Sequence, residues 1–483
     1  MQRTCRGAIP SILALLSLTA ASAWDPAPWL ADLMQIRTAI NKDYPNLEWL
    51  TEQREVSLDR WFDHAADSIR RGRSDADARR ILDNLIARFD DGHLLLRWPE
   101  EEPVRVQNVQ SEATPTFPPT LASFCAVLGY DAGQVTAGTA ASLPGYHAFD
   151  SGEPFRTGII NVNYRKVGVV RIGLFSPLGY PHLCERAVLA ARIAINKPCD
   201  AVCRDRVLTK AYALMTYGLM TTIERLREAG TQVLLVDLTR NSGGSEWAEA
   251  AARIISPVPL HSAPIGVIRG KTWVNRWRDI ATTLRNEAKE SSLMDRPTLA
   301  NFARRADAIA DGLEPCFGAT CSRLAQAGYA SGLLPEWSAG QFRGKKWAQE
   351  VFNVAQFPYR DSVWRGPVIV LVDSKTWSAA EEFAALLRDN NAAIVLGIRT
   401  GGAGCGHLYG NDPIILLHSR AILEIPNCAR FRRDGSNEVG GIVPDEPTGA
   451  RWDDGAAYAG RLTAARLPQA IARAEALTLD NDQ

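Results

Sequence analysis

Four runs of the chain, VGVVRIGLF (167–175), QVLLVDL (232–238), VIVLVD (368–373) and AIVLGI (393–398), are apolar almost without interruption. A strand with one wet face would alternate, so these runs predict strands covered on both faces. Between them apolar residues recur at helical spacing over 201–228, 245–254 and 378–389. Strands alternating with helices predict an α/β layered core, assembled from 166–265 and 362–465. Residues 266–361 interrupt it with few strand-like runs and many Arg, Trp, Ala and Glu, and predict a mainly helical insertion. Its Trp273, Trp277, Trp337 and Trp347 either line a binding groove or pack the insertion's own core.

Residues 24–98 predict a helical N-terminal domain. Ser74 followed by Asp77 can cap a helix start, and Ala78, Leu82, Leu85 and Phe89 then fall on one face. The stretch 99–165, rich in Thr, Ser, Pro and Gly, predicts short strands and loops, and 466–483 a C-terminal tail. At the other end, two arginines precede an apolar run from about Ala8 to Ala20 and then Ala21-Ser22-Ala23. That order predicts a secretory signal peptide, 1–23, cut after Ala23. No later apolar run is long enough to span a bilayer, so the mature chain is expected in the periplasm or outside the cell, without stable membrane insertion.

Lys+Arg and Asp+Glu number 54 each, which gives no support to a nucleic-acid partner. Beyond Cys5 the chain has cysteines at 125, 184, 199, 203, 316, 321, 405 and 428, an even set that predicts disulfides in an oxidising compartment. Spacing suggests Cys199–Cys203 and Cys316–Cys321 as local bridges and Cys405–Cys428 as a longer one. Cys125–Cys184 follows by elimination. The cysteine pairs are too wide for a zinc knuckle and the seven histidines are scattered, so no metal or organic cofactor is expected.

Candidate chemistry begins at Ser378, in LVDSKTWSAAEEFA, where an apolar strand gives way to a helix. A serine there can simply cap the helix. It also stands at the carboxyl end of a sheet, where α/β proteins place ligands, with the backbone N–H of Ala379 available to a developing oxyanion. In VDLTRNSGGSEW (236–247) a second strand ends in a glycine turn whose Gly243 N–H is a further oxyanion candidate, with Asp237 and Arg240 available to brace it. A serine needs a base. His93, in DDGHLLLRW, and His407, in GGAGCGHLYG, are the candidates. For an orienting carboxylate, SNEVGGIVPDEP offers Glu438, Asp445 and Glu446.

Taken in order, DDGH, VGVVRIGLFS, DLTRNSGG, TWSAAEEFA, IRTGGAG and EVGGIVPD resemble the S41 family of serine peptidases, which includes the C-terminal processing peptidases and the tricorn core protease. The resemblance covers most of 75–265 and 362–447 and implies a crotonase-like α/β core. The processing branch takes its base from a lysine in a TxGKG-like segment, where this chain has Ala403. The tricorn-like branch uses a histidine from the DGH segment and a glutamate before G-V-x-P-D, positions held here by His93 and Glu438. The resemblance therefore implies Ser378 as nucleophile, His93 as general base and Glu438 as polar support, with Gly243 and Ala379 as the oxyanion hole. The tricorn type often has a serine before this histidine, and here the residue is Gly92. The implied substrate is a short peptide or unfolded protein, bound as an extended strand. A non-catalytic binding protein on the same scaffold and a serine esterase or amidase remain open alternatives. Nothing in the sequence sets the oligomeric state.

Overall fold

Two of the first three helices begin at a serine whose hydroxyl takes a backbone N–H that the helix leaves free. The computed structural model describes residues 24–99, 120–150, 154–316, 321–410 and 413–481. The predicted signal peptide lies outside the described residues. Helix α1 (Ala27–Asp43) is followed by α2 (Leu58–Arg71), capped by Ser57, and α3 (Asp75–Ala87), capped by Ser74. Their apolar faces meet around Ile36, Phe62, Leu82 and Phe89, with strand β1 (Leu95–Arg97) at the rim. This cluster is separate from the core of the main sheet.

The chain continues through α4 (Leu121–Val127), β2 (His147–Ala148), β3 (Arg156–Val162), β4 (Arg165–Arg171), α5 (Pro181–Ala190), α6 (Ala201–Glu228), β5 (Val233–Asp237) and α7 (Trp247–Ile255). Then come β6 (Pro264–Ile268), α8 (Lys271–Glu290), α9 (Arg296–Gly312), β7 (Leu324–Tyr329), α10 (Ala339–Phe342), β8 (Val368–Val372), α11 (Ala379–Asp389) and β9 (Ile394–Gly397). The last elements are β10 (Ile414–Ile415), β11 (Ile422–Glu424), β12 (Ala429–Arg430), β13 (Glu446–Pro447) and α12 (Ala456–Asn481).

A seven-stranded sheet runs in the order β13-β9-β8-β5-β4-β3-β2. Strands β4, β5, β8, β9 and β13 are parallel, and β2 and β3 add antiparallel to one edge. The apolar runs are explained by what covers each face. Leu234, Val236, Val370 and Val372 face the helices α6, α7 and α11, while Val233, Leu235, Ile369 and Leu371 face α12. The described residues of 99–165 supply β2 and β3 to this sheet. The expected tail is different: α12 runs through it, because Leu467, Ala470, Ile471 and Ala474 form a helical stripe buried on the sheet.

Two small antiparallel sheets complete the architecture, β12-β6-β7 and β1-β11-β10. The second brings the N-terminal helices against the core, since β11 lies between β1 and β10. Within the insertion α8 and α9 pack together, and Trp337 meets Phe342, Trp347 and Phe352 in edge-on or tilted ring contacts that continue the core of the main sheet. Trp277 is buried too. Trp273 instead approaches Tyr409 of the loop after β9. Four disulfides form, Cys125–Cys184, Cys199–Cys203, Cys316–Cys321 and Cys405–Cys428. Among the described residues no helix is long and apolar enough to cross a membrane, and no cluster of metal-ligating side chains occurs.

Candidate active site

Strands β5 and β8 lie side by side and parallel, so the loops leaving them meet at the same edge of the sheet. Polar contacts stitch the two loops. Asp373 accepts the N–H of Arg240 at 2.8 Å, Thr376 donates to the carbonyl of Leu238 at 3.0 Å, and Trp377 N–H donates to the carbonyl of Asn241 at 2.9 Å. Arg240 therefore braces through its backbone and Asp373. Asp237 does not pair with Arg240: its Oδ1 accepts the N–H of Thr239 at 2.9 Å and the Thr239 hydroxyl at 2.7 Å, and Arg171 of the neighbouring strand lies 3.6 Å away.

Ser378 follows, with φ 55° and ψ −120°. An ordinary N-cap residue is extended. A non-glycine residue in the positive-φ region stores about 1–3 kcal/mol of strain and persists only where its surroundings enforce it. Here they do: the Ser378 N–H donates to Glu381 Oε2 at 3.0 Å, and its carbonyl faces Arg430 Nη2 at 3.4 Å. The next N–H, of Ala379, lies in the first turn of α11, where no intrahelical acceptor exists.

Gly243 abuts this turn. Its φ is 106°, and a Cβ there would lie 2.8 Å from Ser378 Cβ and 3.0 Å from Ala379 N, so a side chain would both strain the backbone and press on the serine. Its N–H, however, donates to Asn241 Oδ1 at 2.8 Å, within its own loop.

His93 comes from the far cluster. Buried Asp91 accepts the His93 N–H at 2.9 Å through Oδ1, and Tyr44 and Asn46, both at 3.0 Å, through Oδ2. The imidazole Nδ1 is 2.7 Å from the carbonyl oxygen of Ala403, a residue 310 positions later. A carbonyl can only accept, so Nδ1 carries the proton and Nε2 is left with its lone pair. Burial pulls the His93 pKa below its ordinary value, and the Arg430 charge adds to this against the Ala403 carbonyl and Glu438. Gly92 is explained by packing, since a Cβ there would sit 3.0 Å from that of Ala403. The rival His407 lies edge-on to His93, ring centres 6.1 Å apart.

Two residues overlooked in the sequence organise the rest. Glu381, wholly buried at the third position of α11, accepts from Thr400 (2.5 Å) and the Gly402 N–H (2.8 Å) on Oε1. On Oε2 it accepts the N–H groups of Ser378 (3.0 Å), Ala403 (2.8 Å) and Gly404 (3.3 Å). Burial, with the charge of Glu438, raises its pKa to about 7 against these donors. Buried Arg430 holds Glu438 in a fork, through Nε at 2.7 Å and Nη2 at 2.5 Å, and Glu382 through Nη1 at 2.9 Å. Its Nη2 also reaches the carbonyls of Gly404 and Ser378. Glu438 thus meets the site through Arg430. Asp445 and Glu446 are engaged elsewhere, with Arg388 and Arg473. The S-x-x-E spacing at 378–381 was a readable capping-box signal for Glu381, whereas no sequence pattern marks Arg430.

Residues 208–448 match Peptidase family S41. Among solved structures, mature CPAF superposes with a TM-score of 0.59 at 14% identity, over 95% of this chain and 98% of its own. Mature CPAF complexed with lactacystin gives 0.56 at 14% identity, over 95% and 99%. At that identity the likeness speaks for a shared fold. No curated protein sequence matches the chain.

Proposed function

This chain belongs to peptidase family S41 and is a serine peptidase, and from that premise we propose that Ser378 attacks the peptide carbonyl with His93 as its base. The observation that carries the assignment is the 2.7 Å contact between His93 Nδ1 and the Ala403 carbonyl oxygen. The His93 Nδ1–H is held by the Ala403 carbonyl, on a loop that shares Glu381 with the Ser378 amide, so the free Nε2 belongs to the serine's neighbourhood. Nε2 takes the Ser378 Oγ proton as the C–O bond forms, then returns it to the leaving amine. Water, deprotonated by the same nitrogen, hydrolyses the acyl-enzyme.

The Ala379 N–H, free of intrahelical bonds, supports the oxyanion. Gly243 joins it once its N–H is shared between Asn241 and the substrate oxygen. Glu438 fixes Arg430, and Arg430 holds the carbonyls on both sides of the site. An extended segment of a peptide or unfolded protein is the substrate, held by main-chain hydrogen bonds. Four disulfides support an exported protein, since such bonds persist in oxidising compartments.

The test is labelling by a fluorophosphonate, read by intact mass. One adduct is expected on the wild type, none on Ser378→Ala, and a rate at least ~10³-fold lower on His93→Ala. An adduct that survives Ser378→Ala would remove the nucleophile assignment. Undiminished labelling of His93→Ala would remove the base.

A further inference from the structure

We infer that the carboxylate which orients and polarises His93 is Glu381, acting through the peptide unit that joins Ala403 to Gly404. One planar group connects them. Its carbonyl, from Ala403, takes the Nδ1–H of His93 at 2.7 Å, and its N–H, from Gly404, points to Glu381 Oε2 at 3.3 Å. The same oxygen takes the N–H of Ser378 at 3.0 Å and that of Ala403 at 2.8 Å, so one carboxylate fixes the amide of the nucleophile and the acceptor of the base.

The other carboxylates near the imidazole are committed differently. Glu438 and Glu382 are bound to Arg430, and Asp91 takes the backbone N–H of His93 rather than its ring. Among the described residues His407 is a further titratable neighbour, and its ring meets that of His93 edge-on. Gly404 is in turn confined: its φ is 55° and a Cβ would lie 3.0 Å from Val439 N, which keeps the peptide in place.

A negative charge at the N–H end of a peptide raises electron density at its carbonyl end, as in any hydrogen-bonded chain of dipoles. The Ala403 carbonyl therefore holds the imidazole more firmly when His93 becomes imidazolium. The proton moves only from Ser378 Oγ to His93 Nε2, and none passes to Glu381. In a direct Ser-His-Asp triad the carboxylate performs this role at the ring itself. Here a peptide is interposed, and Glu381 is a positioning residue.

The inference rests on Ser378 and His93 as the reacting pair, and the experiment separates the two. Glu381→Gln keeps the shape, but all five groups bonded to the carboxylate are donors, so the amide NH2 opposes a donor whichever way it turns. Expected is a Ser378 labelling rate about 10- to 100-fold below wild type, the size that indirect support of an imidazole costs elsewhere, with the acid limb of the rate displaced to lower pH. Glu381→Asp should restore part of the rate. A wild-type rate in Glu381→Gln, or a lower rate with an unmoved acid limb, overturns the inference. Loss of labelling in the wild type itself, or its persistence in His93→Ala, instead overturns the reading of the pair. Should Glu381→Gln not fold, histidine and Gly404 resonances of the wild type decide. The His93 ring must be the Nδ1–H tautomer, and the Gly404 amide proton must shift as His93 titrates. An Nε2–H tautomer or an indifferent Gly404 would refute it.

Discussion

At the scale of single residues, the site is governed by buried groups whose ionisation is opposed by burial. His93 is held below the ordinary imidazole pKa and so stays a base in mildly acid solution. Glu381 is raised from 4.5 to about 7 and must be ionised to accept all its donors. The group with the higher pKa sets the acid limb, so the labelling rate of the wild type should fall as pH drops through about 7. Stability should run the other way at this residue. A carboxyl whose pKa is higher folded than unfolded favours the native state below its unfolded value, and that contribution is lost as pH rises through the folded one. The thermal midpoint of the wild type relative to Glu381→Gln should therefore be greatest below about pH 4.5 and shrink as pH rises through about 7. A difference independent of pH would refute the raised pKa. Gly243 gives a second expectation. Gly243→Ala sets a methyl 2.8 Å from Ser378 Cβ at a positive φ, and a displacement of ~1 Å at the nucleophile costs about 10²-fold in rate. Labelling of that variant at the wild-type rate would show that the turn yields without moving the serine.

At the scale of elements, what could be read in the sequence was what periodicity encodes. The near-continuous apolar runs foretold β4, β5, β8 and β9, because strands covered on both faces lose their alternation. The reading of 266–361 as mainly helical came from its composition and its lack of strand-like runs, whereas the N-terminal helices followed from spacing. Helix α12 did not: its buried Leu467, Ala470, Ile471 and Ala474 lie among arginines and a proline at 468, which blur the stripe. At the site, Ser378 and His93 were legible as residues, whereas Arg430 was not, since its role depends on loops brought together only by the fold. The loop that presents Ala403 and the strand β12 that presents Arg430 are joined by Cys405–Cys428, both of them buried residues. Closing a loop of 23 residues is worth about 3 kcal/mol in the chain-entropy account. Replacing both cysteines by alanine should lower the unfolding free energy measured in urea by an amount of that order and slow labelling of Ser378. Removing Cys316–Cys321, five residues apart in the insertion, should leave the labelling rate unchanged. Equal loss from both would mean that the Cys405–Cys428 bridge acts on global stability alone.

At the scale of the whole molecule, the proposed nucleophile and the proposed base stand beside different hydrophobic clusters. Ser378 rises from the main sheet, whereas the segment carrying His93 leaves the cluster of α1, α2 and α3. Contacts that join them include β11 between β1 and β10, the pair Arg97 and Glu424, the N–H groups of His418 and Ser419 on Asp32, the His93 ring on the Ala403 carbonyl, and a buried bond from Asn437 Nδ2 to Asn46 Oδ1 at 2.8 Å. Leu423, on β11, is wholly buried and packs into the N-terminal cluster, opposite Leu96 of β1 and Ile414 of β10. Leu423→Ala removes three buried heavy atoms and leaves a cavity, at a cost of about 2–5 kcal/mol. Because Leu423 packs into the N-terminal cluster, that cost should fall on the N-terminal helices first. Amide hydrogens of α2 and α3 should exchange faster in the variant while those of β5 and β8 keep their protection, since local opening follows the boundaries of cooperative units. Ser378 labelling should fall in the same variant, because an opened cluster releases the Ala403 carbonyl from His93. Parallel deprotection of β5 and β8 would instead mean that helices and sheet unfold as one unit, and that His93 cannot leave the serine without loss of the whole fold.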